Sequence, residues 1–175
     1  AAAAGGMAWL LAEWIKHKRP TSMGFVSGLV AGLVAITPAS GFVPPWAAIV
    51  IGAAAGLVCF TAVLLKGKLG YDDSLDAFGV HGVGGFLGAI LTGVFAVKIF
   101  GGTAGLVDGA PAQVGKQAIA ACAAAAYGAL GTLVLVWLVD KVVGFRVARS
   151  TEIEGMDAAI HGEQGWMLDQ MPTPA

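Results

Sequence analysis

Charge is scarce in this sequence. Lysine and arginine number 10 and the acids 11 among 175 residues, 12% in all, where a soluble globular chain carries about 25%. The charged residues stand in short clusters between apolar runs, so the formal net charge of -1 says nothing about partners. No basic patch offers itself to nucleic acid. Cysteine is nearly absent too. Cys59 and Cys122 each fall inside an apolar run with no partner at ligand spacing. That argues against a disulfide framework or a metal site and predicts two small core hydrophobes. The first residue is Ala1 rather than methionine, and the opening lacks the charged start and cleavage site of a signal peptide. It reads as a span cut in its middle, and the chain as part of a longer polypeptide.

What fills the sequence is apolar. Hydrophobic residues make up 57% of it, the mean hydropathy is +0.80, and 27 residues are glycine. Glycine fills a water-soluble core poorly, but membrane helices use it for close packing. The composition predicts an all-α integral membrane protein, with the lipid bilayer as its solvent. A helix needs about 20 apolar residues to cross about 30 Å of hydrocarbon. Five stretches qualify: residues 1–15 (cut short), 22–38, 43–65, 76–97 and 117–140. Lys16 to Pro20 ends the first, and Lys66 to Asp73 follows the third. The proline-rich segment from Pro38 to Pro45 is either a plain turn or an outer rim of a pore. Gly101 to Val114 is the longest loop.

Lysine and arginine report orientation because they resist translocation. They lie in residues 16–19, at 66 and 68, and at 141, 146 and 149, while the intervening turns hold only Lys98 and Lys116. This alternation predicts a cytoplasmic end for the first span and a cytoplasmic C-terminal tail. Residues 1–149 form the transmembrane region. Residues 150–175 change chemistry, with Glu152, Glu154, Asp157, Glu163 and Asp169 among glycines and prolines. They read as a solvated tail with one short helix. Gly24, Gly28 and Gly32 make a ridge on the second span, and Gly52 and Gly56 repeat it on the third. Ridges of this kind serve helix packing. A dinucleotide loop is excluded, because no strand precedes them, and no cofactor is implied.

The informative stretch is Tyr71 to Gly85. Asp72, Asp73 and Asp76 stand at the cytoplasmic mouth of the fourth span, where carboxylates serve as interfacial groups or caps on the helix N-terminus. His81 follows one to two turns inside. An ionisable side chain within a span is expensive unless it faces a polar cavity or a partner. Its helical neighbours are Ala77, Gly84, Gly85 and Gly88, a face stripped of bulk. That face leaves either a lumen beside the ring or a helix packed tightly against it. A neutral imidazole both donates and accepts a hydrogen bond, which suits a small weak base in passage. No second histidine or carboxylate stands at i+3 or i+4, as a helical zinc site requires. No nucleophile–base pair appears, so the chain does not read as an enzyme. An intramembrane enzyme would need partners from outside it. His17 reads as a cytoplasmic surface residue, and His161 as solvated or docking the tail.

Asp72-Asp-Ser-Leu-Asp-Ala-Phe-Gly-Val-His-Gly-Val-Gly-Gly85 resembles the signature of the ammonium transporter (Amt/Mep/Rh) family, in its bacterial Amt branch. Ala31 to Pro38 with Gly41-Phe-Val43 resembles that family's eighth span, and Ala12-Glu-Trp14 the end of its seventh. Gly155-Met-Asp157 with His161-Gly-Glu163 resembles its cytoplasmic tail, where Gly155, Asp157, His161, Gly162 and Glu163 would be regulatory. The resemblance implies an eleven-span, inverted-repeat fold assembled as a homotrimer in the cell inner membrane. These residues would be spans seven to eleven plus the tail. It implies ammonium as substrate, methylammonium as its analogue, and the PII signalling protein as cytoplasmic partner. His81 would be the second of the family's twin pore histidines. Trp9, Thr37, Ala77 and Phe78 match positions near its lumen or inner vestibule. The first histidine and the outer gate belong to a half absent from these residues. An ammonium sensor of the same fold is the other reading, though the short tail resembles the regulatory kind.

Overall fold

The computed structural model describes residues 1–163; residues 164–175, with Asp169 and the end of the expected tail, lie outside the described residues. Helix α1 covers Ala2–His17 and stops where Lys18 turns left-handed, its N–H donating to the Trp14 carbonyl at 2.9 Å. The next helix, α2 (Ser22–Ile36), starts from a clasp. The Glu13 carboxylate accepts the Thr21 N–H at 2.9 Å and the Thr21 hydroxyl at 3.0 Å, and Thr21 Oγ1 accepts the Gly24 N–H at 2.9 Å. An orphan donor of the first turn is thereby satisfied. After a 3₁₀ turn at Thr37–Ala39, helix α3 runs over Pro45–Leu69 with proline in its first turn, and Gly70 ends it. A π turn at Phe78–Gly82 then leads into α4 (Val83–Phe95). The short α5 (Lys98–Gly101) and a 3₁₀ turn at Leu106–Asp108 precede α6 (Ala112–Val142). Helix α7 (Arg149–Glu154) and a second π turn, Asp157–His161, complete an all-helical chain with no strand among the described residues.

Four of these segments are long and apolar enough to cross a membrane: Ser22–Ala39, Pro45–Leu69, Phe78–Phe95 and Ala112–Val142. Helix α1, with 16 residues, reaches about 24 Å at about 1.5 Å per residue, short of the hydrocarbon thickness. Helix α3 runs past Lys66, whose ammonium pairs with the Asp76 carboxylate in the segment that follows the helix. Helix α6 starts at Ala112, inside what the sequence presents as loop.

By its contacts the chain falls into two units, residues 1–125 and residues 126 onward, dividing within α6. In the first unit α1, α2 and α3 pack on one another and α4 on α2 and α3. The glycine ridges make this possible. Gly5 sits against Gly28 and Gly32, Gly24 against Glu13, and Gly52 and Gly56 against Ala1 and Gly5. A β-carbon added at Gly28 would stand 2.5 Å from Trp9 Cβ, inside any real contact. The core is built from small residues (Ala31, Ala35, Ala39, Ala55 and Cys59) with Trp9, Ile51, Phe60 and Val80 among them.

Among the described residues of the second unit none is buried. The Arg146 guanidinium forks onto Glu152 at 2.6 and 3.1 Å, and that hydrogen bond holds the Glu152 carboxyl below its ordinary range. Gly155 leaves α7 at φ +100°, a conformation side chains resist. Cys122 departs from the sequence reading. It is exposed while Cys59 is buried, because no residue of α6 is buried by the rest of this chain.

Candidate functional site

Three aspartates precede the π turn, and each does something different. The Asp73 carboxylate accepts the N–H groups of Ala77 at 2.8 Å, Phe78 at 3.0 Å and Gly79 at 3.4 Å. It thus satisfies the orphan donors of the helix start and places negative charge at the positive end of the dipole. Asp76 adopts φ +54°, rare for a residue with a β-carbon. Its carboxylate pairs with Lys66 Nζ, which also donates to the Asp73 carbonyl at 2.8 Å. Asp72 is exposed, accepting only a long bond from the Ser74 hydroxyl at 3.5 Å.

The π turn these groups hold carries His81 as its fourth residue. Wide turns of this kind are uncommon and gather at functional sites. Here the Val83 N–H is shared between the carbonyls of Phe78 and Val80. Gly79 and Val80 are buried while His81 and Gly82 are exposed, so the turn faces α3 with one side and open space with the other. His81 makes no hydrogen bond or ion pair among the described residues. Beside it runs an open groove of about 370 Å³, lined with Gly82, Gly85, Phe86 and Ala89 from the α4 side and Ala121, Ala124 and Ala125 from α6. Phe78, Gly82 and Phe86 also line an adjoining apolar groove of about 520 Å³. Among the described residues, the imidazole is the one titratable group that lines these walls.

Of the residues singled out in the sequence, His81 and Phe78 share this pair of grooves, and Ala77 stands exposed at the head of the turn. Trp9 lies elsewhere. It is buried, with its ring edge-on to Phe60 at 5.6 Å between centroids. Thr37 is exposed, its hydroxyl donating to the Leu33 carbonyl at 2.7 Å. Because Ala35 sits against Gly88, Thr37 lies at least about two helical turns along α4 from His81. The tail residues Gly155, Asp157, His161, Gly162 and Glu163 belong to the second unit, where the Glu163 N–H donates to the Asp157 carbonyl at 3.0 Å. Sequence reasoning overlooked two contributors, Cys59 and Lys66 on α3. A thiol in an apolar run looks like filler, and a lysine after a span looks like a topological marker.

Membrane-length helices packed on glycine ridges, with a lone histidine on a π turn, form an all-α membrane transporter fold. The solved structure of Saccharomyces cerevisiae Mep2 superposes on it with a TM-score of 0.80 at 38% identity, covering 85% of this chain and 35% of that one. A profile of the Ammonium Transporter Family matches residues 1–166, and the chain belongs to that family. It is 47% identical to an ammonium transporter of Bacillus subtilis over 95% of its own length and 42% of the relative's. It is 46% identical to ammonium transporter Amt1 of Archaeoglobus fulgidus, over 93% and 41% respectively. The chain therefore spans about two-fifths of the curated relatives it matches. A structure described as a sensor Amt protein is also similar, with a TM-score of 0.78 at 31% identity over 91% of this chain and 39% of that one.

Proposed function

We propose that this chain forms the His81-bearing wall of a path that carries ammonium across a membrane, with the imidazole handling ammonia and its proton separately. The observation that carries the reading is the ring itself: exposed, without a protein partner, on a π turn beside a groove of glycine, alanine and phenylalanine. Walls of that kind penalise a bare cation, since no dipole replaces its water. Neutral ammonia pays far less. A neutral imidazole can accept a hydrogen bond from it, or take a proton from ammonium before it sheds water. Ala77 and Phe78 stand at the mouth of this path. The rest of the lumen, with the first of the twin pore histidines, falls to the part of the polypeptide outside these residues.

Uptake of labelled methylammonium by cells making the full-length polypeptide tests this. His81→Leu is expected to cut the rate by more than about tenfold at equal protein level, whereas an unchanged rate removes His81 from the path. The same reading makes the assembly a homotrimer in the cell inner membrane. Its tail is cytoplasmic and meets the PII protein, with Gly155, Asp157 and the His161–Glu163 run supplying the contact. The likeness to a sensor Amt protein supports a second reading, in which occupancy is relayed to a cytoplasmic partner. Uptake by the purified, reconstituted full-length protein would decide for transport.

A further inference from the structure

Cys59, Val63 and Lys66 stand at i, i+4 and i+7 on α3, so they form one stripe on that helix. All three meet the π turn or its approach. Cys59 is fully buried, and its Sγ–H donates to the Val80 carbonyl at 3.7 Å, the residue before His81. Cys59 Sγ also lies 3.1 Å from where a β-carbon at Gly84 would be, and Val63 packs on Gly79. Lys66 binds both the Asp73 carbonyl and the Asp76 carboxylate at the head of the turn. The backbone around His81 thus has an α3 contact before it and another behind it, while the ring makes no hydrogen bond or ion pair among the described residues.

From this we infer that Cys59 and Lys66 are positioning residues, which fix the π turn from α3 and so set where the His81 ring stands in the groove. The inference rests on the transport role proposed for His81. A carbonyl oxygen carries two lone pairs, and the Val80 carbonyl, which shares the Val83 N–H, also accepts the thiol. Sulfur also fills the gap opposite Gly84, which a larger side chain would widen. Lys66 offsets the left-handed backbone of Asp76 by pairing its carboxylate, so losing the lysine frees the turn to relax towards an ordinary helix.

The test uses full-length protein in phospholipid vesicles with ¹⁵N-labelled histidine. His81→Leu assigns the His81 ring signal. Cys59→Ala is expected to shift that signal and to lower the maximal uptake rate by about threefold at little-changed KM. Cys59→Ser, which keeps a donor, is expected to restore both in part. Lys66→Met, at the exposed end of α3, is expected to shift the same signal, and it carries the test if Cys59→Ala protein fails to accumulate. Ring signals and rates like wild type in Cys59→Ala and Lys66→Met would overturn the inference. The two failures are separable. If His81→Leu leaves uptake intact, the transport reading falls, while the ring signals still report whether α3 positions the turn.

Discussion

The His81 imidazole is carried by a turn whose backbone is held from outside the ring. Its backbone hangs from the Asp73 cap, whose carboxylate takes three consecutive N–H groups. Asp73→Ala leaves those donors to water or to nothing, at a cost of about 1–2 kcal/mol. A lower midpoint in a thermal-shift measurement on detergent-solubilised full-length protein is expected, with Asp73→Asn milder. An unchanged midpoint would mean that the cap contributes nothing. The tail carries a pH-dependent contact of its own. Arg146 lowers the Glu152 carboxyl through their hydrogen bond. The stabilisation is therefore complete above the carboxyl's unfolded pKa and fades as pH falls through the lowered folded value. Proteolytic nicking near residues 146–152 should accelerate in that acid window, and Glu152→Gln should nick faster already at neutral pH. His81 was legible in the sequence because a lone imidazole in a span is physically costly. Cys59 and Lys66 were not, because a residue's partner on another helix leaves no local trace.

Among the elements, the α1–α2–α3 packing depends on absent side chains. Gly28→Leu would drive a branched group into Trp9 Cβ and the Gly5 backbone, for which no rotamer offers room. Loss of stably folded protein in membranes is the expected result, measured as the fraction surviving detergent extraction. Normal recovery would refute the close approach. The glycine ridges were readable as periodicity, and the proline-rich segment from Pro38 to Pro45 marked the break before α3. The extension of α3 past Lys66 and the early start of α6 at Ala112 were not readable, since a hydropathy window registers apolar content and not where helical hydrogen bonding stops. The π turn escaped too. It is specified by contacts from Asp73 and α3 rather than by the composition of Phe78–Gly82.

At the scale of the whole molecule, the open side of the π turn and the unburied α6 explain one another. Helix α6 is 31 residues long, apolar, and buries no side chain on this chain, while the groove beside His81 runs between it and α4. The chain spans about two-fifths of the length of the curated relatives it matches, and these faces are uncovered among the described residues. The tail belongs to this scale as well. Removing residues 150–175 from the full-length protein is expected to change the uptake rate or abolish its response to PII, and no change in either would detach the tail from regulation. The family was legible from the histidine signature alone, whereas the extent of the groove required coordinates.

The most direct test is steric. Ala89 lies on the groove wall, about two turns beyond His81, and tryptophan there would add bulk to the groove without altering any charge. Methylammonium uptake by vesicles holding full-length Ala89→Trp protein is expected to drop by more than about tenfold while the assembled protein remains intact. Uptake at the wild-type rate would show that the substrate does not travel beside His81.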